Sequence, residues 1–236
     1  MSSISVADLH SRGVECLSRH RSLEAVGHFT QALQREPKHI SSLYNRGVAR
    51  FQMGDVNGAI EDLNEAIQLA PRAARGYRSR GMAYSKLGDS ARALADFNRA
   101  IFLEPGHART CRMRGQLHFE AGSFREAIAD FSVAISDNPK DTASLARRGA
   151  AHGDLEDYVP ALVDLDRAIE LLPIDPSYYV FRGRVHQKRM DWNRAIADFD
   201  TALQLAPGCQ VTQNLRCDAL RGRAKYNASK RPSPAA

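Results

Sequence analysis

The chain has 236 residues, of which 43% are hydrophobic and 25% charged, and a formal net charge of +6. No apolar run approaches the ~18 residues that a membrane-spanning helix needs, and the first residues lack the basic and then apolar segments of a secretory signal. Residues 210–236 carry +5 of the net charge, so the rest is almost neutral and lacks the broad basic face of a nucleic-acid-binding protein. We therefore expect a cytoplasmic protein that does not enter a membrane and whose near-neutral body does not bind nucleic acid.

From Val6 onward, small residues and prolines recur every 34 residues along most of the chain. The recurring residues are Gly13, Gly47, Gly81, Gly115, Gly149 and Gly183, then Ala25, Ala59, Ala93, Ala127, Ala161 and Ala195, and finally Pro37, Pro71, Pro105, Pro139, Pro173 and Pro207. Such a period is typical of two antiparallel helices per repeat. The small residues let the two helices approach closely, and the proline ends the second helix because it has no N–H to donate. In the third repeat the large apolar residues on one helical face are Tyr77, Tyr84, Leu94, Phe97 and Ile101.

This pattern resembles the tetratricopeptide repeat family. The resemblance implies an all-α, right-handed α-solenoid of six 34-residue helix-turn-helix repeats with a C-terminal capping helix. The predicted array covers residues 6–226, with repeats at 6–39, 40–73, 74–107, 108–141, 142–175 and 176–209 and an end helix at 210–226. Residues 227–236 are rich in Ser, Pro and Ala, and we expect them to form a disordered basic tail. The Ser233-Pro234 pair in this tail is a candidate phosphorylation site.

The turn between the two helices of a repeat differs along the chain. Repeats 2, 3 and 4 place Gly54, Gly88 and Gly122 where glycine supplies a left-handed backbone conformation. Repeat 1 has His20 at this position, as an atypical repeat that caps the array would. Repeat 5 has Glu156 there, so we expect its turn to be strained or differently capped.

Arginine and aspartate recur at fixed positions on opposite helices of the repeats. Arginine is the seventh residue of all seven predicted first helices, namely Arg12, Arg46, Arg80, Arg114, Arg148, Arg182 and Arg216. Aspartate is the twenty-third residue of five repeats, namely Asp62, Asp96, Asp130, Asp164 and Asp198. Pairing between them would hold the two helices in register through bidentate hydrogen bonds. We interpret this ladder as structural and not as a binding site.

No motif for catalysis, a cofactor or a metal is found in the sequence. It contains no phosphate-binding loop ending in Lys-Ser or Lys-Thr, no Gly-x-Ser-x-Gly and no His-Glu-x-x-His. His118, His152 and His186 share the eleventh repeat position, but equivalent atoms of stacked repeats lie at least ~8 Å apart, whereas a Zn–N bond is ~2 Å. The four cysteines lack zinc-ligand spacing. We therefore expect a protein that is not an enzyme and that binds neither cofactor nor metal.

The positions that line the concave face in this family carry an unusual set of residues. In repeats 3 to 6 they hold eight bases against only Glu120 and Asp154, and these bases are Arg75, Arg78, Lys86, Arg109, Arg112, Arg147, Arg184 and Lys188. In repeat 2 they hold the apolar Tyr44, Val48 and Phe51 beside Asn45, which is placed to bond a peptide backbone. A groove of one charge sign attracts a ligand of the opposite sign. The alternative is that the cations only keep the solenoid soluble.

We therefore predict a non-catalytic protein–protein interaction adaptor or scaffold that holds an extended, acidic peptide segment in this groove. One alternative is a structural subunit that docks into a larger assembly through its convex face or its ends. A co-chaperone is a weaker alternative, because only Asn45 matches the family's carboxylate-binding residues, with Arg75 as a substitute for a second. RNA binding through the basic tail is a third alternative. The oligomeric state is left open by the sequence.

Overall fold

The computed structural model describes residues 4–230 of the chain, which form thirteen α-helices and no β-strand. The helices are α1 (Val6–Ser18), α2 (Ser22–Arg35), α3 (Ile40–Gln52), α4 (Val56–Leu69), α5 (Ala74–Lys86), α6 (Ser90–Leu103), α7 (Ala108–Glu120), α8 (Phe124–Asp137), α9 (Thr142–Asp154), α10 (Tyr158–Leu171), α11 (Pro176–Lys188), α12 (Trp192–Leu205) and α13 (Gln210–Ser229). The predicted all-α fold of helix-turn-helix repeats is confirmed. Within the described range, none of the helices combines the length and the apolar character that crossing a bilayer requires.

The chain divides into two compact units, an N-terminal unit (Met1–Thr110) and a C-terminal unit (Cys111–Ala236). In the N-terminal unit α1 and α2, α3 and α4, and α5 and α6 pack as hairpins, while α2 packs on α3 and α4 on α5. In the C-terminal unit α9 and α10, and α11 and α12, form hairpins of the same kind, and α13 packs on α12. Each unit is thus a stack of consecutive helix pairs. We call the first helix of each pair the A helix and the second the B helix.

The two helices of a hairpin approach closely because one of them has a glycine at the contact. A Cβ atom added to Gly81 on α5 would lie 2.8 Å from Cε1 of Phe97 on α6. Phe97 and its neighbour Ala93 are both fully buried, at 0% exposure. The glycine therefore leaves space that the phenylalanine ring fills, and a phenylalanine or a leucine takes this place in every repeat.

The arginine and aspartate ladder holds the A helix against the B helix in repeats 2 to 6, as predicted; repeat 1 has His28 at the aspartate position. Bidentate pairs join Arg46 to Asp62, Arg80 to Asp96, Arg114 to Asp130, Arg148 to Asp164, and Arg182 to Asp198. The five aspartates are only 3 to 6% exposed. Because the aspartates are buried, removal of an arginine would leave an uncompensated charge, which costs more than the ~0–1 kcal/mol typical of exposed pairs.

Each turn between an A and a B helix passes through the left-handed region at the same repeat position. Gly54, Gly88 and Gly122 have φ of +87°, +77° and +75° there. Non-glycine residues have similar values in the other repeats, with His20 at +58° and Glu156 at +61°. The strain predicted for the turn of repeat 5 is present at Glu156, because a side chain in this conformation crowds the backbone.

The last helix extends further than the sequence analysis predicted. Helix α13 continues to Ser229, three residues beyond the predicted end at 226, with Lys230 as its C-cap. The reason is that the chain has no proline between Pro207 and Pro232, so nothing in residues 227–229 interrupts the helix. The remainder of the predicted tail, with Ser233 and Pro234, lies outside the described residues.

Candidate functional site

The twelve residues predicted to line the groove all lie on A helices. Tyr44, Asn45, Val48 and Phe51 are on α3, Arg75, Arg78 and Lys86 on α5, Arg109 and Arg112 on α7, Arg147 on α9, and Arg184 and Lys188 on α11. The first seven, together with Arg109, belong to the N-terminal unit, and the other four belong to the C-terminal unit. The two groups differ in how much open space surrounds them and in how many of their charges are already paired.

The N-terminal unit contains a pocket of about 300 Å³ that brings four of the predicted residues together. Tyr44, Val48 and Phe51 form its apolar wall, and Arg109 contributes a cation. The three wall residues recur at intervals of four and three along α3, so their side chains share one face of the helix. The residue spacing on α3 therefore forms one wall of the pocket, and side chains of the helices that follow form the rest.

The rim of this pocket is built around Tyr44. The guanidinium carbon of Arg75 lies 4.7 Å from the centre of the Tyr44 ring, a distance at which a cation and an aromatic face attract each other. Ser79 donates a hydrogen bond of 3.2 Å from its hydroxyl to the Tyr44 hydroxyl oxygen. These two contacts hold the ring in place. Asn45 is half-buried beside it, and its side chain makes no hydrogen bond to any residue in the described range.

Arg109 is exposed, and it makes no ion pair with residues 4–230. Arg78, by contrast, is half-buried and paired with Glu104, the C-cap residue of α6. This hydrogen bond from Arg78 lowers the pKa of the Glu104 carboxyl below its ordinary value. The positive charge predicted for Arg78 is therefore already balanced. Lys86, in the last turn of α5, is exposed and lacks an ion-pair partner among the described residues.

Most of the predicted bases of the C-terminal unit are also balanced by carboxylates. Arg112 lies 3.5 Å from Asp141. Asp154 lies 3.7 Å from Arg184 and 2.7 Å from the ammonium of Lys188. The open space beside this last group is only about 10 Å³, which holds no more than one water molecule. Among the four predicted bases of this unit, Arg147 is the one without an ion-pair partner in the part of the chain that the structure describes.

The three histidines at the eleventh repeat position lie on different helices and have different neighbours. His118 is on α7, His152 on α9 and His186 on α11. Nδ1 of His152 lies 3.3 Å from the carboxylate of Asp157, whereas Nδ1 of His186 is buried without a hydrogen-bond partner. In residues 4–230 no three His, Cys, Asp or Glu side chains are grouped so that they could hold a metal ion.

Comparison with known families agrees with the fold. A family model described as "TPR repeat" matches residues 47–88, and one described as "Tetratricopeptide repeat" matches residues 78–144. Residues 47–144 therefore match the sequence pattern of tetratricopeptide repeats. The two matches include Val48 and Phe51 of the pocket wall and all of α5 and α7, whereas Tyr44 lies just before the first match. No curated protein sequence matches the chain.

Several solved structures share the fold at low sequence identity. YrrB, described as having an unusual peptide-binding site, has a TM-score of 0.72 at 18% identity over 79% of this chain and 96% of its own. A chain of the APC/C hetero-tetramer Cut9–Hcn1 has a TM-score of 0.70 at 20% identity, and the match covers 92% of this chain but 43% of that one. A tetratricopeptide repeat protein of Parabacteroides merdae has a TM-score of 0.59 at 22% identity, over 93% of this chain and 86% of its own.

Some features of the site were not predicted from the sequence. Ser79 and Met82 also line the pocket. They are the sixth and ninth residues of the third repeat, which are positions of the predicted groove face, so their small or flexible side chains were a signal that sequence reasoning could have used. Glu104 and Asp141 lie outside those positions, at a B-helix C-cap and an A-helix N-cap. A count of charges on A-helix positions alone could not include them.

Proposed function

We propose that this protein is a non-catalytic protein–protein interaction adaptor that binds an extended peptide segment at the pocket of the N-terminal unit. The observation that carries the proposal is the pocket itself, in which the apolar wall of Tyr44, Val48 and Phe51 faces open space of about 300 Å³ next to Arg109. Pockets of this size with an apolar lining and a few polar groups are typical binding sites. The tetratricopeptide repeats and the peptide-binding site described for YrrB support the same function.

The lining indicates what the bound segment contains. An apolar side chain would enter the pocket and contact Val48 and Phe51, because burial of apolar surface is the main source of affinity at such a site. An acidic side chain next to it would pair with Arg109, which is exposed and makes no ion pair within residues 4–230. Arg75, held over the ring of Tyr44, is a second cation within the same face.

The proposal assigns acidic recognition to fewer residues than the sequence alone indicated. Arg78, Arg112, Arg184 and Lys188 already have carboxylate neighbours within 4.0 Å, so a ligand would have to compete for them. Arg75 and Arg109 have no such competitor among the described residues. We therefore assign the anchor and the charge recognition to the N-terminal unit, with Lys86 and Arg147 as further attractive charges.

A peptide-display selection against the full chain tests this function. We expect the selected peptides to be enriched in an apolar residue close to Asp or Glu. The variants Phe51→Ala and Arg109→Glu should each weaken a selected peptide by about tenfold or more. Matched controls are Phe102→Ala and Arg72→Glu, which change exposed residues of the same unit that do not line the pocket. Selected peptides without acidic residues, or equal binding to the pocket variants and the controls, would overturn the proposal.

A further inference from the structure

A cluster of two histidines and one serine lies next to Arg75 at the rim of the peptide pocket. Nδ1 of His10 on α1 lies 3.1 Å from the hydroxyl oxygen of Ser42 on α3. Nδ1 of His39, the N-cap residue of α3, lies 2.8 Å from the same oxygen. The centres of the two imidazole rings are 5.2 Å apart, and Ser42 is fully buried. One hydroxyl group therefore joins two titratable rings.

Bases at the position of His10 in later repeats are paired with carboxylates. This position is the fifth residue of a repeat, and it is Arg78 in repeat 3 and Arg112 in repeat 4. Arg78 pairs with Glu104, and Arg112 lies 3.5 Å from Asp141. His10, by contrast, makes no ion pair with a carboxylate in the part of the chain that the structure describes.

The nearby acidic residues do not balance a charge on His10. His39 occupies the repeat position at which repeat 4 has its aspartate. Glu36, the C-cap residue of α2, is exposed and forms no ion pair within residues 4–230. On α1, Asp8 accepts hydrogen bonds from the backbone and the hydroxyl of Ser5 and so caps its own helix.

Among the described residues, the helices packed around His10 present only neutral or basic groups to it. Helix α2 contributes the ring of Phe29, whose centre is 5.5 Å from that of the imidazole. Helix α3 contributes Ser42 and His39, and α5 contributes Arg75. Burial, then His39 and then Arg75 lower the pKa of His10 below its ordinary 6.5. The ring is therefore neutral at pH 7 in the free protein.

The cluster can accept a proton without losing a hydrogen bond, because a hydroxyl group can donate one bond and accept another. When His10 is charged, its Nδ1–H donates to the oxygen of Ser42, whose hydroxyl donates in turn to Nδ1 of His39. Nε2 of His10 makes no hydrogen bond within residues 4–230, so its N–H is available to a ligand. The charged form lacks only a nearby carboxylate, which would favour it over the neutral form.

We propose that an acidic residue of the bound peptide lies between Arg75 and His10, and that His10 takes up one proton as this residue binds. The inference rests on the proposed function, because the peptide in the pocket supplies the carboxylate. Arg75 also lies over Tyr44 of the pocket wall, so this position is continuous with the site of the apolar anchor. Binding and protonation favour each other, so the affinity for acidic peptides should rise as the pH falls.

The test measures the affinity of the full chain for the probe acetyl-Glu-Leu-Asp-Leu-Glu-amide at pH 7.5 and at pH 6.0, by NMR on protein labelled at histidine and tyrosine. The carboxyls of the probe have pKa values of ~4 and stay charged at both pH values. We expect the affinity to be about threefold or more higher at pH 6.0. The pKa of His10, followed by its ring signals, should be higher in the complex than in the free protein.

Three controls assign this pH difference. His10→Gln keeps a polar side chain beside Ser42 but cannot take up a proton, so it should remove the difference. His118→Gln changes a half-buried histidine of the C-terminal unit and should keep it. The neutral probe acetyl-Gln-Leu-Asn-Leu-Gln-amide should bind with the same affinity at both pH values.

Failure of this inference can be distinguished from failure of the proposed function. Equal affinity of the acidic probe at both pH values would overturn the proton uptake and leave the peptide site in place. A pH difference that persists in His10→Gln, or that the neutral probe also shows, would do the same. Absence of binding at both pH values would overturn the proposed peptide site together with this inference.

Discussion

Arg80 donates hydrogen bonds of 2.8 and 2.7 Å to the two carboxylate oxygens of Asp96, and its third nitrogen donates to Asn64 of the preceding hairpin at 2.7 Å. One guanidinium thus joins its own B helix and the previous one. The same geometry recurs with Arg46, Arg148 and Arg182. The ladder therefore fixes both the pairing of helices within a repeat and the stacking of one repeat on the next.

Removal of one member of this pair should strongly destabilise the fold. We expect Arg80→Met to lower the free energy of unfolding by about 3–5 kcal/mol, because Asp96 is left charged and buried. Arg167→Met is the control, since Arg167 and Glu170 form an exposed pair 3.0 Å apart, worth at most ~1 kcal/mol. Urea unfolding followed by circular dichroism measures both. Equal losses would mean that burial does not set the strength of the ladder.

Glycine at the helix contact should be irreplaceable, and glycine on an open helix face should not. A Cβ atom on Gly183 would lie 2.6 Å from Cε1 of Phe199, whereas one on Gly27 would have nothing within 4 Å. We expect Gly183→Ala to cost about 1–3 kcal/mol from overpacking, and Gly27→Ala to stabilise by roughly 0.5–1 kcal/mol from helix propensity. The signs of the two shifts in melting temperature check this, and two shifts of the same sign contradict it.

The turns with positive φ at non-glycine residues store strain that glycine would relieve. Met190 has φ of +61°, and its side chain is 63% exposed, so little packing depends on it. We expect Met190→Gly to raise the free energy of unfolding by about 0.5–1 kcal/mol, since the steric penalty of ~1–2 kcal/mol exceeds the entropic cost of glycine. The reverse change, Gly88→Ala at φ of +77°, should destabilise. Thermal melts of both variants decide the matter, and a destabilised Met190→Gly protein would contradict the explanation.

His186 should make the stability of the protein depend on pH. Burial lowers its pKa below the ordinary 6.5, against the opposite influence of Asp198 and Asp191. The unfolded chain therefore takes up a proton before the folded one, and stability should fall as the pH drops from 6.5 toward the lowered folded pKa. His186→Gln should reduce this slope by up to about 1.4 kcal/mol per pH unit.

Urea titrations of both proteins at pH values from 8 to 5 measure this slope. His10 also has a lowered pKa, caused first by burial and then by the nearby His39 and Arg75. The slope should therefore shrink in His186→Gln and shrink further in the double variant with His10→Gln. An unchanged slope in both variants would show that neither imidazole is held neutral by the fold.

The fold was predictable from the sequence because the same packing contacts between two helices recur in each repeat. Gly81 and Phe97 are complementary in shape, and the recurrence of a glycine with a phenylalanine or leucine at these positions every 34 residues indicates two helices in close contact. Arg80 and Asp96 are 16 residues apart on those helices, so their pairing followed from the same register. These are local relationships, repeated often enough for the period to be read directly.

The candidate site was predictable only in part. The apolar wall on α3 followed from helical spacing, whereas the size of the pocket depends on Ser79 and Met82, whose side chains come from another helix. The charge of the face depended on carboxylates outside it, because Glu104 neutralises Arg78 from the end of a B helix. Sequence spacing predicts which residues share a helix face, but not which distant carboxylate reaches across to them.

We propose that Arg109, beside the apolar pocket of the N-terminal unit, recognises an acidic residue of a bound peptide. A charge-swap cycle tests it most directly, using a selected peptide, the same peptide with its acidic residue replaced by Lys, the unchanged protein and Arg109→Glu, with affinities measured by calorimetry. We predict that each single change weakens binding by about tenfold and that the two together restore most of it. If the double change instead weakens binding by the product of the two single effects, Arg109 does not contact the acidic residue and the assignment is wrong.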